Sequence, residues 1–372
     1  MAAIAIPHVF ISHFAIGGGL YLVLTERWAR KIGDAVYLEY LKRLTKFFVY
    51  ASVVLGAVSG VGIWFVVGLL SPSATDVLIH NFVWAWAIEW TFFAIEIAAA
   101  LIYYHGWKTM SARDHMIVGW IYFVAAWLSL FVINGIVSFM LTPGEWLTTG
   151  AMLDGFFNQT FWPTTLFRTG VCVMLAGLYA GLVSARLSAG QPRDRLTRYN
   201  AGWGIAGLIL MVPSFYWFFK SIPADIIART IDGLTMPMAA LNGAYVNVLL
   251  LLAVLLIFGL LIPKKHNLVI AIVAMGFGFA CFGEFEWFRE SIRKPYIIPE
   301  YMYGNSLKVD QTANFRETGM RAAMVYRTGD DGRDLFNRAC RSCLTFNGYR
   351  PLAKALNGTD ESFISAVIQG ID

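Results

Sequence analysis

Residues 116–141 read MIVGWIYFVAAWLSLFVINGIVSFML, without a single Asp, Glu, Lys or Arg. An α-helix rises about 1.5 Å per residue, and roughly 20 apolar residues cross the hydrocarbon of a bilayer. The stretch is apolar all round rather than along one stripe, which excludes a surface helix of a water-soluble protein. Outward from it, seven further runs read the same way: 2–25, 47–70, 82–105, 164–187, 199–222, 245–263 and 267–292. The first is the weakest, with Pro7, His8, His13 and three successive glycines, Gly17, Gly18 and Gly19. It lacks the basic start and small-residue cleavage site of a secretory signal, so it is read as a retained helix. With 14% charged residues against about a quarter in soluble proteins, composition agrees. The expected fold is an all-α integral membrane protein of about eight transmembrane helices with a small C-terminal extramembrane segment. The expected division is a membrane domain over 1–295 and a tail over 296–372.

The net charge of +5 is no evidence for nucleic acid, because its distribution follows the membrane. The connection after the first run carries Arg27, Arg30, Lys31, Lys42, Arg43 and Lys46. The one after the third carries Lys108 and Arg113, after the fifth Arg186, Arg193, Arg195 and Arg198, and after the seventh Lys264 and Lys265. The alternate connections 71–81 and 142–163 hold no Lys or Arg. The positive-inside rule puts the basic loops in the cytoplasm and the N-terminus outside. An even number of spans places the polar tail outside too. In a bacterium the chain would be a multi-pass protein of the inner (plasma) membrane, with N-terminus and tail on the periplasmic side.

Ionisable residues inside the runs carry the chemistry, since each costs a few kcal/mol in hydrocarbon without a partner or role. They are His13, then Glu89 and Glu96, then Arg168, then Glu284, Glu286 and Glu290, with Arg293 and Lys294 following. Seven residues separate Glu89 from Glu96, which puts them on one helix face about 10 Å apart along the axis. With the N-terminus outside, His13, Glu89, Glu290 and Asn134 share the outer layer of the membrane. A histidine is an axial ligand of haem iron, and ligand identity and burial set its potential. Carboxylates aligned on one helix can relay protons. Other readings stay open. His13 could be hydrogen-bonded to a neighbouring helix, and the glutamate pair could be the ion path of a transporter. Glu290 and Arg293 could form an interfacial ion pair. Glu284 and Glu286 point to different faces, so at least one is structural or meets another subunit. His80, His105, His115 and His266 fall at run ends and are read as surface residues. His8 is a weaker ligand candidate than His13. Cys172 and Cys281 are read as packing residues.

These residues resemble subunit I of the cytochrome bd-type oxygen reductases over about 5–300. Ser12-His13-Phe14 resembles the family's first helix, whose histidine binds a high-spin haem. Ala87-Ile88-Glu89, followed by Glu96, is similar to its helix-3 acidic pair, set one residue closer here. Asn134-Gly135 leading to Met140 and Pro143 is similar to the end of its fourth helix. Trp287-Phe288-Arg289-Glu290-Ser291-Ile292-Arg293-Lys294-Pro295-Tyr296 resembles the stretch that supplies the carboxylate ligand of a second high-spin haem. The resemblance implies His13 and Glu290 as ligands of two neighbouring high-spin haems, haem b with a second of b or d type. It implies Glu89 and Glu96 as the proton supply, with Trp287, Arg293 and Arg168 positioning or tuning the haems. It also implies oxygen as the substrate, reduced to water, and a respiratory complex with other membrane subunits, a homologous one included.

The chain departs from that pattern in three places. Arg168 stands where the family's low-spin haem has its histidine, and Asn247 falls where its methionine partner belongs. Between the sixth and seventh runs only about 223–244 is available, too short for the family's quinol-oxidising loop; Lys220 and Arg229 lie in that region. The low-spin haem b is therefore expected to be absent, and electrons are expected from a cytochrome c or a neighbouring subunit. In the tail, Cys340-Arg341-Ser342-Cys343 resembles a haem c attachment motif, but Leu344 replaces the histidine. Haem c is doubtful there, and the two cysteines read equally as a relic, a disulfide or part of an unusual site. The reading that follows is the haem-bearing membrane subunit of a bd-type respiratory oxidase, an oxidoreductase of the electron-transport chain. The alternative is a degenerate, non-catalytic paralogue that scaffolds a complete haem subunit.

Overall fold

The computed structural model describes residues 2–231, 235–319, 327–341 and 351–369. Among these, eight helices are long and apolar enough to cross a membrane: α1 (Ala3–Ile32), α2 (Ala35–Leu70), α3 (Val83–Gly106), α4 (Ala112–Phe139), α5 (Phe161–Ser184), α6 (Gln191–Lys220), α7 (Pro237–Leu261) and α8 (Leu268–Arg293). The eight expected spans are all present, and two differ usefully in their limits. The basic stretch around Lys42, expected as a loop, is the first turns of α2. Tyr37, Tyr40, Leu41, Leu44 and Phe48 recur three and four residues apart and are buried, while Lys42, Arg43 and Lys46 lie exposed on the other face. The α1–α2 connection shrinks to two residues. Gly33 takes a left-handed φ of 67°, and the Asp34 carboxylate caps α2 by accepting from the backbone N–H groups of Val36 and Tyr37. Second, α7 starts earlier than expected, so the connection from α6 holds little beyond the short helix Ala224–Ile231.

Close backbone approach sets the helix packing. The hydrophobic effect does not press helices together inside lipid, and small residues allow van der Waals contact instead. An added Cβ at Gly177 of α5 would stand 2.5 Å from the Asn200 carbonyl oxygen of α6, and one at Gly207 would overlap the Met174 backbone. One at Gly17 of α1 would overlap the Cys172 carbonyl of α5. These glycines bring α1, α5 and α6 together, and α3 packs along α4. Within α2, Tyr50–Gly56 is wound as a π-helix, a local widening often found at functional sites. Phe65, Leu69, Ile209 and Val269 stay exposed, as lipid-facing side chains do.

Residues Met1–Arg293 form one compact unit and Lys294–Asp372 a second. In the second, Tyr296–Ile298 pairs antiparallel with Met302–Tyr303, and Ile298 and Met302 are fully buried. The Asp334 carboxylate accepts from the hydroxyl and backbone N–H of Thr328, and these bonds hold it below the usual carboxylate range. Cys340 closes the short helical turn Phe336–Cys340. Cys343 and Leu344, and with them the expectations for the cysteine pair, lie outside the described residues.

The α5–α6 crossing makes a direct expectation. Gly207→Ala should push the helices apart and cost about 1–3 kcal/mol, seen as a lower melting temperature in detergent. Gly202→Ala, where nothing lies within 4 Å of the new Cβ, should leave it unchanged. Equal melting of the two variants would contradict the packing described.

Candidate functional site

Pro7 sits in the first turns of α1, and His13 follows in the buried part of that helix at 3% exposure. Its Nδ1 lies 2.7 Å from the Val9 carbonyl oxygen. A carbonyl only accepts, so Nδ1 carries the proton and Nε2 keeps the lone pair. That arrangement fixes tautomer and ring orientation, as is usual for a metal-binding histidine. Nε2 faces the Arg168 guanidinium of α5, whose NH1 donates to it at 3.3 Å. The other arm of Arg168 donates to Glu286 of α8, and Arg289 Nε donates to the second Glu286 oxygen at 3.0 Å. Two guanidinia thus share one carboxylate and leave a net positive charge beside His13.

Next to this group lies a cavity of about 440 Å³. One water needs roughly 10–15 Å³ on such a measure, so there is room for far more than a few waters. His8, His13, Glu89, Glu96, Asn134 and Arg168 all contribute to its wall, together with Glu286 and Arg289. Glu89 accepts from the Ser129 hydroxyl at 3.1 Å, and Glu96 accepts from the Tyr122 hydroxyl at 3.0 Å. Their seven-residue spacing brings both carboxylates to the same cavity. His8 holds its Nδ1 against Ser59 Oγ and the Gly56 carbonyl of α2. The Asn134 amide nitrogen is shared among Phe161 O, Thr164 Oγ1 and Thr165 Oγ1. Its Oδ1 is buried with no protein donor among the described residues, an acceptor open to a group in the cavity. Apolar walls come from Trp64, Trp86, Trp90 and Phe93.

This donor set fits a haem: an imidazole with its Nε2 oriented, apolar and aromatic walls, and guanidinia suited to carboxylate side groups. Iron could use the His13 lone pair only if Arg168 NH1 released it. Arg168 itself offers no lone pair to a metal.

Several residues singled out in the sequence lie elsewhere. Glu290, expected beside His13, is absent from the cavity wall; Arg293 donates to it within α8, and its side chain is 41% exposed. Trp287 is 49% exposed and, like Arg293, is not part of the wall. Helical geometry explains the change: Glu286 and Glu290 are four residues apart on α8, and the inner of the two reaches the cavity. Glu284 accepts from Asn247 Nδ2 of α7 at 3.0 Å, away from this site. Lys220 lies 5.8 Å over the Tyr216 ring, and the Arg229 side chain lies outside the described residues. Cys172 and Cys281 are buried packing residues. His115 and His266, expected at the surface, are 1% and 9% exposed. Burial pushes the His266 pKa down in the α7–α8 connection. Glu286 was named in the sequence only as one of three acidic residues of the eighth run and Arg289 only within the stretch around Glu290, and neither was assigned to the site. Their acidic–basic i, i+3 spacing, together with Arg168 near the start of the fifth run, was the available signal.

Removing Arg168 tests the network. Breaking a buried ion pair from one side costs about 3–5 kcal/mol, and Arg289 still neutralises part of Glu286. Arg168→Leu should therefore lose about 3 kcal/mol of stability, and the Arg168→Leu/Glu286→Leu double variant should regain most of it in a double-mutant cycle. Additive losses would mean that the two groups are not coupled.

The family model described as cytochrome bd terminal oxidase subunit I matches residues 1–219. Among solved structures the chain is similar to the bd oxidase from Geobacillus thermodenitrificans. The TM-score is 0.69 at 12% identity, covering 87% of this chain and 92% of that one. At that identity the likeness is one of fold. No curated protein matches the chain.

Proposed function

The chain belongs to the cytochrome bd terminal oxidase subunit I family, haem-bearing membrane subunits of respiratory oxidase complexes, and on that premise we propose that its reaction centre is the cavity at His13. The observation that carries this reading is the His13 ring in the cavity wall, with Nδ1–H held by Val9 and the Nε2 lone pair facing Arg168. Haem bound there would supply the iron through which electrons reach oxygen. The chain's own residues do the rest. The Val9 carbonyl makes His13 a more basic ligand. Glu89 and Glu96, held by Ser129 and Tyr122, store the protons that reduction of oxygen to water consumes. Arg168 and Arg289 meet the carboxylate side groups of the macrocycle, and Glu286 keeps the two guanidinia from repelling one another. For a second, carboxylate-ligated haem the sequence pointed at Glu290, which lies outside the cavity wall, while both oxygens of Glu286 within it accept from guanidinia.

The electron donor follows from what is replaced. A guanidinium at Arg168 cannot ligate the family's low-spin haem iron, and the α6–α7 connection is short. Electrons are therefore assigned to a c-type cytochrome or a neighbouring subunit, arriving at the N-terminal, outer side. One observation favours the second reading, a non-catalytic scaffold: Arg168 donates to the same lone pair that iron would take.

Haem content separates the two. The wild-type protein should give a high-spin haem spectrum and a positive pyridine haemochrome assay. His13→Ala should lose one haem signal while still inserting in the membrane. A haem-free wild type would establish the scaffold, and unchanged haem in His13→Ala would remove His13 from the ligand set.

The donor is tested on the purified complex. A reduced c-type cytochrome should support oxygen consumption, with a rate that falls as salt screens the encounter. Rapid, inhibitor-sensitive quinol oxidation by this subunit alone would overturn the assignment.

A further inference from the structure

A second cluster of titratable side chains lies at the opposite end of the membrane unit, among the basic connections. Its centre is Glu26 of α1, fully buried at 0% exposure. Thirteen residues separate it from His13, about 20 Å along the helix. Glu26 accepts from Arg30 Nε at 2.7 Å and from the Tyr103 hydroxyl of α3 at 2.6 Å. His115 of α4 places its Nδ1 2.9 Å from both carboxylate oxygens, and its Nε2 lies 2.9 Å from the Tyr103 carbonyl oxygen. That carbonyl only accepts, so Nε2 carries a proton. The contact between Nδ1 and Glu26 must then hold one further proton, on the imidazole or on the carboxylate. It is a proton-holding site by geometry. Arg30, whose side chain is 31% exposed, stands between it and the basic surface.

The same two helices connect this cluster to the cavity. Tyr103 lies seven residues beyond Glu96 on α3, and Tyr122 lies seven beyond His115 on α4. Tyr103 bonds at the Glu26 level and Tyr122 bonds to Glu96, so two hydrogen-bonded levels lie about 10 Å apart. The Tyr103 ring packs on Gly119 of α4, midway between the levels, and the Tyr122 ring packs on Gly19 of α1. A side chain at either glycine would displace a ring.

From this juxtaposition we infer that Glu26 and His115 take up protons at the basic end and deliver them to Glu96 by way of Tyr103 and Tyr122. The inference rests on the oxidase reading above. No electrons move in the relay. The Tyr122 hydroxyl gives its proton to the Glu96 carboxylate and is reprotonated from the Glu26–His115 side, with water bridging the two levels. Glu26 then regains its proton from solvent past Arg30. Glu26 and His115 touch neither oxygen nor haem; they act through Glu96.

The test uses the purified oxidase complex carrying wild-type chain, Glu26→Gln, His115→Phe or Tyr122→Phe. Haem content and absorption spectrum should be unchanged in all three variants. Oxygen consumption should fall at least tenfold, with a larger solvent deuterium isotope effect. Without oxygen, the proton uptake that accompanies chemical reduction, followed with a pH-indicator dye, should slow by a similar factor. Tyr122→Phe keeps the ring on Gly19 and removes only the hydroxyl, so it decides the matter even where Glu26→Gln does not accumulate. Turnover and proton uptake within twofold of wild type in Tyr122→Phe, or in a haem-replete Glu26→Gln, would overturn the relay. A wild type without haem or oxygen consumption would instead defeat the oxidase reading, and that control is read before any variant.

Discussion

A guanidinium buried in hydrocarbon must find its counter-charge within the protein, and Arg168 does so by joining three helices. One arm donates to His13 on α1 and the other to Glu286 on α8, while α5 carries the residue itself. Arg289 completes the neutralisation from α8. The requirement is severe because a buried charge in a membrane span costs several kcal/mol without a partner. The positions of α1, α5 and α8 around the cavity thus depend on this set of contacts as much as on the glycine crossings that let the helices approach.

The same requirement acts at the other end of α1. Glu26 is satisfied by Arg30 from its own helix, Tyr103 from α3 and His115 from α4. The long first helix therefore carries one polar junction towards each face of the membrane. Between them it packs through Gly17 on α5 and Gly19 on the Tyr122 ring. A polar group at each end and glycines between give α1 a fixed height relative to α3, α4 and α5. That places the His13 ring at the level of Glu89 and Arg168, where all three reach one cavity.

Arg168 has consequences beyond its own ion pairs. It puts a positive charge against the cavity, which favours anionic groups there. The nearby Glu286 limits that effect. The balance of two guanidinia against one carboxylate is a property of this chain, visible only once α5 and α8 are side by side.

Long uncharged runs such as 116–141 determined by themselves that this is a bundle of eight membrane helices, because hydrocarbon admits few other structures. The seven-residue spacing of Glu89 and Glu96 likewise placed both on one face, since helical periodicity is local. His13 and the family resemblance were legible in the same way. The α8 carboxylate was not. Glu286 and Glu290 are both acidic, both near the C-terminal end of α8 and each three residues before an arginine, and only the height of α8 against its neighbours brings the first to the cavity and leaves the second with Arg293. Nor did His115, at the edge of an apolar run, reveal that it is 1% exposed, since its partner Glu26 is 89 residues away. Periodicity and hydropathy act within a segment. Which charged groups meet depends on how segments rotate and pack against each other, and that was decided by tertiary structure alone.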